Sequence, residues 1–380
     1  MKVASYLYRN QIFEAVKNNS ELNETKCQLV LAFGLKDLLI NTDAFSVFKK
    51  KFPNAHIATC STAGEIFDKE VLNDSVSLIA FEFEKTTVES KSINIENYES
   101  SYQAGIDLIK KLNPKDLKYV LVLSDGNKVN GSDLLRGINS IVQHKIPVTG
   151  GVAGDGDNFK ESVLGLNEIA KSGNIIVVGL YGDAIKISHG SMGGWETFGL
   201  EKTITKSISN ELFEIDDNNA LDLYKKYLGK YADELPSSAL LFPLSIKVDG
   251  VAEPIVRTII SINDETKSMT FAGDVPEGAQ VRFMKANFDK LIDAASKAAH
   301  NSMMQFEIKK PKFALLISCV GRKLILGNRV DEELEAVSDV FNNDTILSGF
   351  YSYGEISPFN IGTKSELHNQ TMTITSFDEF

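Results

Sequence analysis

Three stretches of the chain run from apolar residues through small or hydroxylated ones into glycine followed by an acid. They are Ala58-Thr59-Cys60-Ser61-Thr62-Ala63-Gly64-Glu65-Ile66, Val148-Thr149-Gly150-Gly151-Val152-Ala153-Gly154-Asp155 and Leu347-Ser348-Gly349-Phe350-Tyr351-Ser352-Tyr353-Gly354-Glu355-Ile356. Glycine there permits positive φ or close backbone approach. Glu65, Asp155 and Glu355 supply carboxylates, and Thr59, Ser61, Thr62, Thr149, Ser348 and Ser352 supply hydroxyls. Such a set suits a polar ligand with an amine or several hydroxyls. Taken singly, each stretch has a plainer reading: the glycine turns the chain and the acid caps the next element. Threefold recurrence leaves two alternatives, a duplicated structural turn or three walls of one pocket.

Other chemistries find less support. Gly150-Gly151-Val152-Ala153-Gly154-Asp155-Gly156 looks like a phosphate loop, but neither Gly-Lys-Ser/Thr nor a clear helix follows it. The five histidines, His56, His144, His189, His300 and His368, are too scattered for a spaced metal site. His300 lies off the apolar stripe of its helix and reads as a solvated flank residue, and His144 as a residue at a helix end. His189, in Ile187-Ser188-His189-Gly190, ends an apolar strand beside glycine; it is the best candidate for an imidazole facing a pocket, against the plainer reading of a satisfied polar residue. Cys27, Cys60 and Cys319 form no CxxC pair, and no Cys/His pair can be assigned. Cys60 and Cys319 read as small buried side chains rather than thiolates.

The elements that must position these residues alternate. Leu29 to Phe33, a helix over 43–52, His56 to Thr59, the first glycine-acid turn and Val76 to Phe83 make one unit. Tyr119 to Leu123, a helix from near Ser132, Ile146 to Val148, the second turn and Ile175 to Leu180 make another. Phe313 to Ile317, a helix carrying Leu334, Val337, Val340 and Phe341, Thr345 to Leu347, the third turn and Met372 to Phe377 make the third. Strands alternating with helices define an α/β fold of repeated βαβ units in mixed, largely parallel sheets. Between the second and third units, Leu240 to Val248, Pro254 to Ile262 and Ser268 to Ala272 predict an antiparallel meander, with turns at Asp249-Gly250 and Asn263-Asp264. Helices are expected over 220–228, capped by Asp216 or Asp217, and over 287–306. A soft boundary between Ser191 and Glu211 divides the chain into domains 1–200 and 201–380.

The composition narrows the function further. A net charge of −11 opposes a broad phosphate-binding surface, so nucleic acid is excluded as a main partner. No apolar run approaches the roughly 20 residues needed to cross a bilayer. The N-terminus reads as a strand rather than a secretion signal, which points to the cytoplasm.

The Ser/Thr-x-Gly-Glu-Ile turn, the Gly-Gly-Val-Ala-Gly-Asp loop, His189-Gly190, Ser318-Cys319-Val320-Gly321-Arg322, the third turn and His368-Asn369-Gln370-Thr371 together resemble the FIST sensory proteins. The resemblance covers an N-terminal segment of about 25–200 and a C-terminal one of about 210–365, and departs where Ser191-Met192-Gly193-Gly194 replaces an aromatic residue and proline. It implies a module that binds small ligands such as amino acids. Some relatives are haem proteins that sense nitric oxide and regulate a histidine kinase or cyclic-di-GMP enzymes, which makes haem a cofactor to test and His189 its axial candidate. The implied ligand pocket comprises Cys60, Ser61, Thr62, Gly64 and Glu65, then Gly151 and Asp155, then Tyr351, Ser352, Tyr353, Gly354, Glu355 and Asn369, with the third copy as its main wall. With no kinase or cyclase region in the sequence, signalling would proceed by contact with a separate effector. The alternative is a hydrolase or transferase using the same glycine-rich strand ends, which requires a nucleophile paired to a base.

Overall fold

The computed structural model describes residues 1–18, 21–40, 43–143, 145–248, 253–304, 306, 311–342 and 345–380. Three six-stranded sheets carry the three units. Each is organised around one parallel pair: Leu29–Gly34 with His56–Ser61, Leu117–Ser124 with Val148–Val152, and Phe313–Cys319 with Ile346–Ser352. These pairs are the ones the βαβ units make, and antiparallel strands complete each sheet. Val76–Glu82, Asn174–Tyr181 and Met372–Glu379 flank the first member of each pair, followed by Lys2–Arg9, Thr87–Asn94 and Ile185–Met192.

The central strands read as unbroken apolar runs because both faces are covered. On one face Leu29, Leu31 and Phe33, Tyr119, Leu121 and Leu123, and Phe313, Leu315 and Ile317 converge on a single core shared by all three sheets. The alternate residues face outward. Val30 and Ala32 pack with Phe48 of the helix Ala44–Lys51. Val120 and Val122 pack under Ser101–Lys110 and Gly131–Val142, and Ala314 and Leu316 under Phe288–Asn301 and Val330–Phe341. A slip of one residue would exchange these faces, so burial on both sides fixes the register.

Each unit also gives a strand to the next sheet. Glu65–Phe67, just past the first glycine-acid turn, pairs with Ser348 to Phe350. Gly354–Pro358, past the third, pairs with Gly150 to Val152, and Leu164–Leu166, past the second, pairs with Ala58 to Cys60. The exchange is therefore cyclic.

Between Ile185–Met192 and Phe288–Asn301 an eight-stranded antiparallel sheet, with the helix Ala220–Leu228, builds its own core. The expected meander forms part of it, as Leu244–Lys247, Ile255–Arg257, Ile259–Asn263 and Ser268–Phe271. The expected turn at Asp249-Gly250 lies outside the described residues. Asn219, not Asp216 or Asp217, caps the 220–228 helix, accepting the Asp222 N–H. Asp216 is drawn away, pairing with Lys202 at 2.7 Å. The expected boundary at residues 200 and 201 falls inside the strand Glu196–Ile208, whose pairing with Gln280–Lys285 shifts register between Phe198 and Lys202, where Gly199 takes a φ of +71°.

Candidate functional site

The three glycine-acid stretches meet. Ala63 N–H donates to Tyr351 C=O at 2.8 Å, Tyr353 N–H to Val152 C=O at 3.1 Å, and Gly154 N–H to Ser61 C=O at 3.0 Å. These bonds close a ring in which each stretch holds the next. Equivalent bonds fix the correspondence of residues: Ala63, Gly154 and Tyr353 occupy one kind of position, and Ser61, Val152 and Tyr351 another. Asp155 then matches Gly64 and Gly354 rather than Glu65 and Glu355. The second stretch is one residue shorter than its apparent alignment.

Glu65 and Glu355 have the same surroundings. Thr62 Oγ1 donates to Glu65 at 2.7 Å and Ser75 Oγ at 3.0 Å. Ser352 Oγ donates to Glu355 at 2.7 Å, with Thr371 Oγ1 at 2.9 Å and Thr371 N–H at 3.1 Å. Burial pushes the Glu65 carboxyl up to about 7 and that of Glu355 to about 8, outweighing the hydroxyl donors that favour the charged forms. Asp155 instead holds its own loop, accepting from Lys160 N–H at 3.2 Å, from Glu161 N–H at 3.0 Å and from the Tyr353 hydroxyl. All three acids thus have partners within the chain.

The other expected residues divide between this crossing and its supports. Ser61 Oγ accepts from Val163 N–H, and Cys60 is fully buried, its thiol pushed up by burial. Gly64 takes a φ of +142°. A Cβ on Gly151 would stand 2.8 Å from Ile317 of the third sheet, so glycine there lets two sheets approach. Tyr353 stacks on Phe159 with centroids 4.5 Å apart. The Tyr351 ring packs with Ala63 and Ile66 of the first turn, and its hydroxyl donates to Glu333 at 2.8 Å. Glu333 also takes Arg322 Nη2 at 2.8 Å, and both side chains of this ion pair have no exposed surface. Cys319 is buried, with its thiol likewise pushed up.

Asn369 and Gln370, leading into Thr371, are both fully buried, yet none of their four amide atoms has a partner among the described residues. Asn369 Nδ2 lies 3.6 Å from where a Cβ of Gly354 would stand, and the Gln370 amide rests on Gly321. Gln370 takes a φ of +62°, and its carbonyl accepts from Trp195 Nε1 at 2.9 Å. The sequence singled out Asn369 and passed over Gln370. It lies in the His368-Asn369-Gln370-Thr371 motif, but that its buried amide is left without a partner depends on the fold.

His189 lies within Ile185–Met192 rather than at a strand end. It lines a cleft of about 480 Å³ away from the crossing, together with Lys118, Lys145, Ile187 and Pro358. Burial lowers its imidazole to about 4. A porphyrin needs two opposed apolar walls, and this lining alternates apolar and charged side chains around one imidazole, so it does not fit haem. His300 is exposed, and His144 lies outside the described residues. Among the described residues one hydroxyl–imidazole pair is present, Ser90 Oγ and His56 Nδ1 at 2.8 Å, but it stands far along the strands from the crossing and His56 has no carboxylate ion pair.

Three α/β units exchanging strands about one core, with a self-contained sheet inserted in the third, define an internally repeated α/β protein. Residues 28–218 match the FIST N domain and residues 220–358 the FIST C domain. The chain belongs to the FIST family, whose domains are sensory and bind small ligands. No curated protein matches the sequence. Among solved structures, a cyanuric acid hydrolase from A. caulinodans aligns over 100% of this chain and 99% of its own at 6% identity, with a TM-score of 0.38. A second cyanuric acid hydrolase aligns over 100% and 99% at 8% identity, with a TM-score of 0.35. Resemblances this loose transfer no chemistry. Among the described residues no helix is long and apolar enough to cross a membrane.

Proposed function

We propose that the chain is a sensory protein that binds a small polar metabolite at the crossing, beside Glu355, Asn369 and Gln370, and passes its state to a separate effector such as a histidine kinase or a cyclic-di-GMP enzyme. The observation that carries this reading is the pair of fully buried amides without partners among the described residues. A buried amide lacking its hydrogen bonds costs about 1–3 kcal/mol, so two in succession are a standing destabilisation that a ligand would relieve. Amides both donate and accept, and the raised Glu355 carboxyl next to Thr371 adds a donor in its neutral form. An amino acid or carboxamide complements that set. Glu65, Ser61 and Thr62 belong to the first turn of the same ring, and Asp155 and Tyr353 hold the second against the third. Haem has no part in this reading, because the His189 lining does not suit it.

Thermal-shift screening with amino acids and primary amides provides the test. A ligand at 100 times its Kd adds about 2.7 kcal/mol of stability. Asn369→Leu and Gln370→Met, which remove the unpaired atoms, are expected to melt at or above the wild-type temperature while losing the ligand shift. A panel without any stabilising compound, or variants that keep the full shift, would sink the assignment.

A further inference from the structure

At three seams the Lys2–Arg9, Thr87–Asn94 and Ile185–Met192 strands each pack against a neighbouring sheet. The ladders place Ser5, Ser90 and His189 at equivalent positions. They pair with Ile79, Val178 and Thr375, which pair in turn with Leu31, Leu121 and Leu315. Two of the three positions carry a small hydroxyl side chain and the third an imidazole. At the Ser90 seam the hydroxyl meets His56, the residue opening the neighbouring parallel strand, at 2.8 Å. The corresponding residue opposite His189 is Pro147, just before Val148–Val152, which has no N–H and no polar side chain to offer. There the seam opens into the cleft of about 480 Å³, within the range of about 300–1,000 Å³ typical of small-molecule sites.

The chemistry of the cleft has three parts. Ile185 and Ile187 share His189's face of the strand, and Ile361, 54% exposed, stands across from them. Three isoleucines in one lining offer an apolar wall to a ligand body. Lys145 and Lys186 also line the cleft; neither has an ion pair among the described residues, and the Lys186 Nζ stands 5.0 Å from the Phe380 ring centroid, although the chain as a whole carries −11. Lys118 is neutralised by Asp183 at 2.5 Å. Inside, His189 is 7% exposed and its Nδ1 has no partner among the described residues.

We infer that this cleft binds a small organic carboxylate with an apolar body, its charge at Lys145 and Lys186, its chain along Ile185, Ile187 and Ile361, and a second hydrogen-bonding group facing His189. The site is separate from the crossing, so either can fail without the other. Calorimetric titration of the full chain with hexanoate, 5-oxohexanoate and hexanamide tests it. Expected are saturable binding of both acids, binding of 5-oxohexanoate about fivefold tighter for its added hydrogen bond, and negligible binding of the amide. The double variant K145E/K186E should weaken both acids about tenfold. His189→Leu should remove the preference for the oxo acid. Absence of saturable binding by either acid, or equal binding of hexanamide, overturns the site; equal affinity for the two acids overturns the role of His189.

Discussion

Replacing Glu355 with glutamine keeps its shape and hydrogen bonds while removing its proton equilibrium, and so measures what the buried acid costs the fold. In the folded protein the carboxyl is raised from the ordinary 4.5 to about 8 by burial. A group raised by folding leaves the folded state fully favoured below its unfolded value, and that advantage is lost as pH climbs toward the folded value. Between pH 4.5 and 8 the wild type therefore loses up to about 5 kcal/mol through this residue, at about 1.4 kcal/mol per pH unit. Within the practical window of pH 6 to 9 the loss is about 3 kcal/mol, since the last part of the titration flattens above the folded value. In E355Q the amide can accept from Thr371 and donate to Ser352, so the contacts persist without the titration. Other groups, Glu65 among them, titrate alike in both proteins and cancel. Urea unfolding of both proteins at pH 6 and pH 9 should show their stability difference moving by about 3 kcal/mol in favour of E355Q at the higher pH. Parallel behaviour, with the difference unchanged across that window, would refute the claim that burial dominates over the hydroxyl donors.

Two further outcomes probe the frame around the crossing. A Cβ on Gly349 would stand 1.7 Å from the Leu316 carbonyl oxygen across the parallel ladder, so Gly349→Ala should cost at least about 3 kcal/mol, whereas Gly278→Ala, with nothing within 4 Å, should cost only about 1–2 kcal/mol for its positive φ; thermal melts separate the two. Arg322→Met strands the buried Glu333 and should cost about 3–5 kcal/mol, and adding Glu333→Leu should recover much of that loss in a double-mutant cycle.

Much of the scaffold was legible because its strands are buried on both faces. The runs beginning at Leu29, Tyr119 and Phe313 have no alternation to confuse them, and the helix 220–228 shows its stripe clearly. The repeated turns were legible too, but their chemistry was not. Glu65 and Asp155 look alike in sequence, yet the ring of backbone bonds sets Asp155 one position earlier, where it braces a loop. That distinction depends on a partner, Ser61 for Gly154, which lies some ninety residues away. The unpaired state of the Gln370 amide was unreadable for the same reason: a glutamine is unpaired only in relation to neighbours such as Gly321 and Trp195. The cleft at His189 depends on Pro147 standing where His56 stands in another sheet, a comparison that only the ladder registers make available.

The cyclic exchange of strands bears on what counts as a part of this molecule. The two family matches meet near residue 219, but the hydrogen-bonded ladders ignore that border: Ile185–Met192 pairs with Met372–Glu379, Glu65–Phe67 with Ser348 to Phe350, and Gly354–Pro358 with Gly150 to Val152. Cutting the chain there would strip Ile346–Ser352 and Val148–Val152 of their outer neighbours and leave bare apolar strand edges of the kind that recruit other chains. The border is one of sequence ancestry, while the physical unit is the whole ring, in which each third is finished by a strand encoded elsewhere.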